Sequence, residues 1–227
     1  MLRRSLRHAL SLGTTALIAL GASGCAVVDT YGDSILDDNY SSGAVTRANI
    51  QDDTAGIGYR YWKVESGTTM AGSRAPHSYA NPRALETGAN AIVFSFGRND
   101  AIDWARGVSG SYDSGAGVYW ALNWMDRARR AGASCVVWVT PNAEASPDAN
   151  VFEKMRDWQR DFSNRLASLG GTVYPDGNLA NPIKLRLVSW GTIAARGGRD
   201  QGFGVHPNAT GAAELGQAIR AQVKTCT

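Results

Sequence analysis

Two runs of this chain, Ala91–Phe96 and Cys135–Val139, are apolar at almost every position. They are too short for helices, and their continuity, in place of strict alternation, means that both faces are buried. That is the signature of strands inside a parallel sheet covered by helices on both sides. Val27–Thr30, Tyr61–Glu65 and Leu185–Ser189 read as three further short strands. Phe152, Met155, Phe162, Leu166 and Leu169 recur at helical spacing, with Asn150 as a plausible cap and Glu153 in the capping-box position. A last helix starts near Ala209, capped by Asn208, with Leu215, Ile219 and Val223 on one face. Alternating strands and helices predict an α/β layer fold, in which functional groups gather at the carboxyl ends of the strands.

The first 24 residues are set apart from that pattern. Arg3, Arg4 and Arg7 precede an apolar stretch from Ala9 to Leu20 and then small residues, the layout of a secretory signal. The apolar stretch is shorter than the roughly 20 residues that a membrane span needs. Removing residues 1–24 takes away three arginines and no acid, so the formal charge of +3 falls to zero. A neutral mature chain without a basic block has no electrostatic footprint for nucleic acid. Residues 25–227 suffice for one domain with a large core, expected to be a monomer in the secreted fraction or the cell envelope.

Three cysteines bear on that compartment. Ala22-Ser23-Gly24-Cys25 resembles a lipobox, in which Cys25 would be acylated and the protein held at a membrane. Val27 begins the first strand almost at once, however, which leaves no tether. The alternative is a disulfide in an oxidising compartment. Cys226 ends the last helix, and Cys25 and Cys135 both begin strands, so either can pair with it; the preferred pair is Cys25–Cys226, with Cys135 buried. None of the three has metal-site or redox-motif spacing.

Polar, glycine-containing turns follow the strands: Gly32-Asp33-Ser34, Ser66-Gly67-Thr68-Thr69 and Gly97-Arg98-Asn99-Asp100. A fourth, Gly202 to Asn208, precedes the last helix. Ester hydrolysis needs a nucleophile, a base and donors for the developing oxyanion. Ser34, at the start of a helix, supplies the first. The chain has three histidines; His8 leaves with the leader and His77 lies in a polar loop, so His206 is the candidate base. The backbone N–H groups of Ser34 and Gly67 and the side-chain amide of Asn99 are available as donors.

Gly32-Asp33-Ser34, Gly67, Gly97-Arg98-Asn99-Asp100 and His206-Pro207 resemble, in order and spacing, the four blocks of the SGNH or GDSL hydrolase family. The resemblance spans the chain from first strand to last helix. It implies a flavodoxin-like three-layer α/β/α fold with a five-stranded parallel sheet, and acyl-ester hydrolysis through an acyl-serine with no cofactor or metal. It also assigns Ser34 as nucleophile, Gly67 and Asn99 as oxyanion donors, and His206 as base. The family usually places an Asp three residues before the His, and here that position is Phe203. Asp200, six residues before His206, is the candidate third member; a Ser–His dyad is the alternative. Asp33 reads equally as a helix cap and Asp100 as structural, while Arg98 reads as a rim residue or as a group that reaches the acyl pocket.

Substrate is less constrained. Trp104 and Tyr112 fall in a glycine-rich stretch and are candidates for stacking on sugar rings or acyl chains, whereas Tyr119, Trp120 and Trp124 follow helical spacing. Leu187-Val188-Ser189-Trp190 resembles the Leu-Val-Asp-Trp stretch of SGNH domains that act on acylated cell-envelope polysaccharides, with Ser189 in place of Asp. The resemblance therefore implies an acyl-ester substrate, short-chain or acetyl, on an envelope glycan. O-acyl transfer to a sugar, lipase activity and non-catalytic glycan binding are the alternatives.

Overall fold

The structure, a computed structural model, describes residues 26–71, 85, 88–143, 145 and 149–226. The leader, Cys25 and His77 lie outside the described residues. The strands are β1 (Ala26–Gly32), β2 (Ile57–Val64), β3 (Ala91–Ser95), β4 (Cys135–Thr140), β5 (Thr172–Val173) and β6 (Ile183–Ser189). The helices are α1 (Asp38–Ser41), α2 (Gly43–Ile50), α3 (Arg98–Ala105), α4 (Ser114–Arg130), α5 (Phe152–Ser168), α6 (Trp190–Ala194) and α7 (Ala209–Val223). They build one six-stranded sheet in the order β2-β1-β3-β4-β6-β5. Five strands are parallel, as the sequence predicts, and β5 adds an antiparallel edge by pairing with β6.

The unbroken apolar runs are explained by two different cores, one on each face. Phe94, Phe96 and Trp138 pack with Trp124 and Met125 of α4 and Met155, Trp158 and Phe162 of α5. Between them in sequence, Val93, Val137 and Val139 turn to the other face, against Ile50 of α2 and Leu215, Ile219 and Val223 of α7. One face is largely aromatic and the other largely aliphatic, so a strand that serves both has no polar side to show. Each of the three aliphatic side chains that α7 buries contributes about 1.5–3 kcal/mol relative to exposure.

Local details depart from the sequence reading. The N-cap of α5 is Val151, which makes no side-chain capping bond, so neither Asn150 nor Glu153 forms the expected capping box. Asn208 does cap α7, accepting from the Gly211 N–H. The disulfide joins Cys135 to Cys226, not Cys25 to Cys226. The cause is the placement of α7, which packs on the central strands β4 and β6. Its C-terminal end therefore arrives over the first residue of β4, with the two Cα atoms 5.6 Å apart.

The strand order reverses direction between β1 and β3, the position at which open parallel sheets form a crevice beyond their carboxyl ends. Ser34 follows β1 and Gly97 to Asp100 follow β3. The topology thus carries two of the polar turns to the same crevice.

Candidate active site

Ser34 lies in the turn that leaves β1 and not at the helix start that the sequence suggests. The first helical residues after it form only the four-residue α1, which ends at Ser42 with φ 52°. The turn is fixed locally. Asp33 Oδ1 accepts from the Ile35 N–H and from Ser95 Oγ, and the Asp33 N–H donates to the Ser95 carbonyl at the end of β3. The Ser34 carbonyl accepts from Ser41 Oγ. Asp33 therefore positions the serine from below and caps no helix.

Ser34 is only 3% exposed, and its Oγ lies 3.0 Å from Nε2 of His206. Among the described residues this is the only hydrogen bond the imidazole makes. For Nε2 to accept the serine proton, Nδ1 must carry the ring hydrogen. No described carboxylate accepts from that Nδ1. Asp200, the sequence candidate, spends its Oδ1 on the Gly202 N–H at 2.6 Å and bridges Pro207 through its backbone. It shapes the loop that carries His206 and does not touch the ring. The carboxylate whose charge acts on the ring is Asp37, the buried cap of α1. Ser34 and His206 thus form a hydrogen-bonded pair with no described carboxylate on the ring.

Burial and the nearby Arg98 guanidinium push His206 down to about 4, against a weaker opposing pull from Asp37. Arg98 is 9% exposed, and its Nε is buried with no described hydrogen-bond partner. Burial pushes the Asp33 carboxyl up to about 7, an effect that the Arg98 charge moderates. Arg98 is thus not a solvated rim residue; its charge sits inside the site and bears on both Asp33 and His206.

The three expected oxyanion donors are held by one connected set of loops. The Glu65 N–H donates to the Gly32 carbonyl, which ties the turn after β2 to the end of β1. Asn99 Nδ2 donates to the Thr68 carbonyl at 3.1 Å, leaving its second hydrogen available. Asp100 accepts from the Met70 N–H at 2.9 Å and from the Tyr112 hydroxyl. The backbone N–H groups of Ser34 and Gly67 donate to no described acceptor. Gly67 has φ +84° and Gly97 φ +115°, conformations that glycine adopts without steric cost.

The aromatic residues are held differently from the sequence expectation. Trp104 belongs to α3 and not to a loop, both it and Tyr112 are partly buried against the aromatic core, and the Tyr112 hydroxyl donates to Asp100. Tyr119 lies on α4 and is exposed. What the sequence reading does not single out is the support of the histidine loop. The fully buried Trp190 donates its indole N–H to the carbonyls of Gly204 and Val205, and Asn142 Nδ2 donates to Gly204 as well. Trp190 directly after an apolar strand is the signal that could have found it.

No family model matches the chain. No curated protein matches it either. Solved structures do. An acetyl xylan esterase, AlAXEase, superposes with a TM-score of 0.54 at 12% identity, over 86% of this chain and 98% of that one. Axe2, an acetylxylan esterase from Geobacillus stearothermophilus, gives 0.57 at 13% identity over 87% and 94% of the two chains. A member of the lipolytic protein G-D-S-L family from Veillonella parvula gives 0.54 at 16% identity over 88% and 98%. The likeness covers nearly the whole of each relative. The chain has the α/β/α fold of the SGNH hydrolases.

Proposed function

We propose that this protein is an exported serine esterase that removes short acyl groups, acetyl above all, from an acylated glycan. The observation that carries the reading is the 3.0 Å approach of Ser34 Oγ to His206 Nε2. His206 Nε2 takes the Ser34 proton as Oγ bonds to the carbonyl carbon of the ester. The carbonyl oxygen becomes an oxyanion, which the N–H groups of Ser34 and Gly67 and the Asn99 amide stabilise. Removal of one such donor typically costs about 3 to 4 kcal/mol of transition-state stabilisation. Collapse of the tetrahedral adduct breaks the bond to the alcohol oxygen, which receives the proton from His206. Water, deprotonated by the same histidine, then releases the acid and regenerates Ser34.

A neutral His206 at pH 7 is the form this mechanism needs, and its lowered pKa provides it. Export is supported by the basic, apolar layout of residues 1–24 and by the Cys135–Cys226 disulfide, a bond that persists in oxidising compartments. Residues 25–227 would then form the single mature domain. The glycan is favoured by the Leu187-to-Trp190 stretch and by the sugar esters that the structural neighbours are named for.

The test is labelling of the folded protein with a fluorophosphonate, followed by a chain-length series of p-nitrophenyl esters. An adduct on Ser34, absent from Ser34→Ala, together with the highest kcat/KM on the acetyl ester, is the expected result. No adduct on Ser34 would sink the esterase reading, and a preference for long chains would make the protein a lipase.

A further inference from the structure

The loop that carries His206 is tied at every level. The Gln201 N–H donates to the His206 carbonyl at 2.9 Å, and Gln201 Nε2 donates to the carbonyls of Pro207 and Tyr40. Trp190 and Asn142 hold Gly204 from beneath. Within this closed loop three successive residues have positive φ: Gly202 at +118°, Phe203 at +58° and Gly204 at +67°. Glycine takes such angles freely, but a bulky side chain at positive φ is an outlier.

Phe203 gains no packing for its strain. Its ring is 75% exposed and stacks on no described aromatic residue. A large side chain held in a disfavoured conformation, facing water beside a reactive centre, points to a ligand. Phe203 is three residues from His206, so their Cα atoms are within about 11 Å. Tyr40, 50% exposed, brings a second ring to 6.0 Å from the His206 ring. Tyr40 therefore borders the base, and Phe203 stands exposed on the loop that carries it.

Gly204, next to Phe203, forms part of the wall of an open cleft of about 430 Å³ at the carboxyl ends of β4 and β6. Its lining mixes hydroxyl and amide side chains, among them Ser163, Asn164 and Thr192, with Arg160 and a larger share of apolar surface. Ser163 Oγ is buried with no described hydrogen-bond partner. A pyranose ring has the matching chemistry, an apolar C–H face for an aromatic ring and a rim of hydroxyls for polar side chains. An acyl chain would offer no hydrogen bond to the Ser163 hydroxyl.

We propose that Phe203 and this cleft form a subsite for the sugar portion of the ester, one ring stacking on Phe203 and the adjoining residue of the glycan lying in the cleft. The inference deepens the esterase reading and rests on it. It places sugar recognition on the loop position where the SGNH pattern usually has its acid.

The experiment titrates acetylated xylo-oligosaccharides and acetylated chito-oligosaccharides into Ser34→Ala protein by calorimetry, with and without Phe203→Gly. Phe203→Gly should weaken binding of at least one of the two by fivefold or more, and Phe203→Trp should restore it. With Ser34 present, Phe203→Gly should lower the ratio of kcat/KM on the oligosaccharide to that on p-nitrophenyl acetate at least tenfold. The same variant should unfold at a higher urea concentration, because it relieves the positive φ, so loss of binding cannot be misfolding. Equal affinities with and without Phe203, or no binding of either oligosaccharide, would overturn the subsite. If p-nitrophenyl acetate is hydrolysed in a Ser34-dependent manner in that case, the subsite alone falls. If that hydrolysis does not depend on Ser34, the esterase reading falls, and the titration still decides whether Phe203 binds sugar.

Discussion

Ser34 Oγ and His206 Nε2 meet at 3.0 Å across 172 positions of sequence, and a third segment, through Arg98, sets the charge that the histidine feels. The imidazole is half-buried and faces that guanidinium, so both effects disfavour its protonated form and its pKa lies at about 4. Only the neutral ring can accept the Ser34 proton. The acid limb of kcat/KM on p-nitrophenyl acetate should therefore fall near pH 4, well below the ordinary histidine value of about 6.5. Arg98→Met removes a positive charge and should move that limb upward. Asp37→Asn removes the opposing negative charge and should move it further down. A limb near the ordinary histidine value in the wild type, unmoved by either variant, would contradict this electrostatic account.

Asp200 has a structural duty that asparagine can also perform. Its Oδ1 accepts from the Gly202 N–H, and an Asn side chain offers the same carbonyl oxygen. Asp200→Asn should keep kcat/KM within about threefold of the wild type, because no proton or charge on His206 depends on the carboxylate. A triad acid behaves differently: its amide variant costs about 10⁴-fold by trapping the wrong tautomer. A loss of that size would restore Asp200 to the catalytic group.

The parts of the site that are legible in the sequence are those in which the backbone itself dictates residue type. Gly97 has to leave a buried strand at φ +115°, and Asn99 has to enter the next helix with its amide turned inward to Thr68. Such demands favour Gly and short polar residues at these positions. The strands β3 and β4 are legible because burial on both faces admits only apolar side chains. The acid whose charge reaches His206 is not, since Asp200 and Asp37 both lie in loops and only tertiary placement shows which one the ring feels. β5 is two residues long and carries no periodicity. For the disulfide, the sequence leaves two pairs open, and the choice depends on which strand α7 crosses, a packing outcome that no local pattern encodes.

The Cys135–Cys226 bridge closes a loop of 91 residues that includes β4, α5, β6 and α7. In the chain-entropy view a loop of that length stabilises by about 4 to 5 kcal/mol, and removal of native bridges costs about 2 to 5 kcal/mol. Cys226→Ala should lower the urea midpoint accordingly. Adding a strong reductant should bring the wild type down to the same midpoint and leave the variant where it is. A reductant-insensitive wild type would mean that the bridge is absent in the folded protein.

Two glycines of the site separate backbone strain from packing. At Gly67, φ is +84° and an added Cβ would meet nothing within 4 Å, so Gly67→Ala carries only the left-handed penalty of about 1 to 2 kcal/mol. At Gly97, φ is +115° and the Cβ would come within 3.0 Å of Cε1 and 3.3 Å of Cδ1 of Phe162. Phe162 is fully buried and stacked on Trp158 with ring centroids 5.0 Å apart, so it has no room to yield. Overpacking adds about 1 to 3 kcal/mol to the backbone term there. Urea unfolding should therefore rank Gly97→Ala as the more damaging of the two. Activity should follow the same order, because displacement of Gly97 moves Arg98 and Asn99, whereas Gly67→Ala leaves the backbone N–H donor in place. Equal losses of stability at the two positions would show that Phe162 can move, and that the aromatic core does not fix the turn after β3.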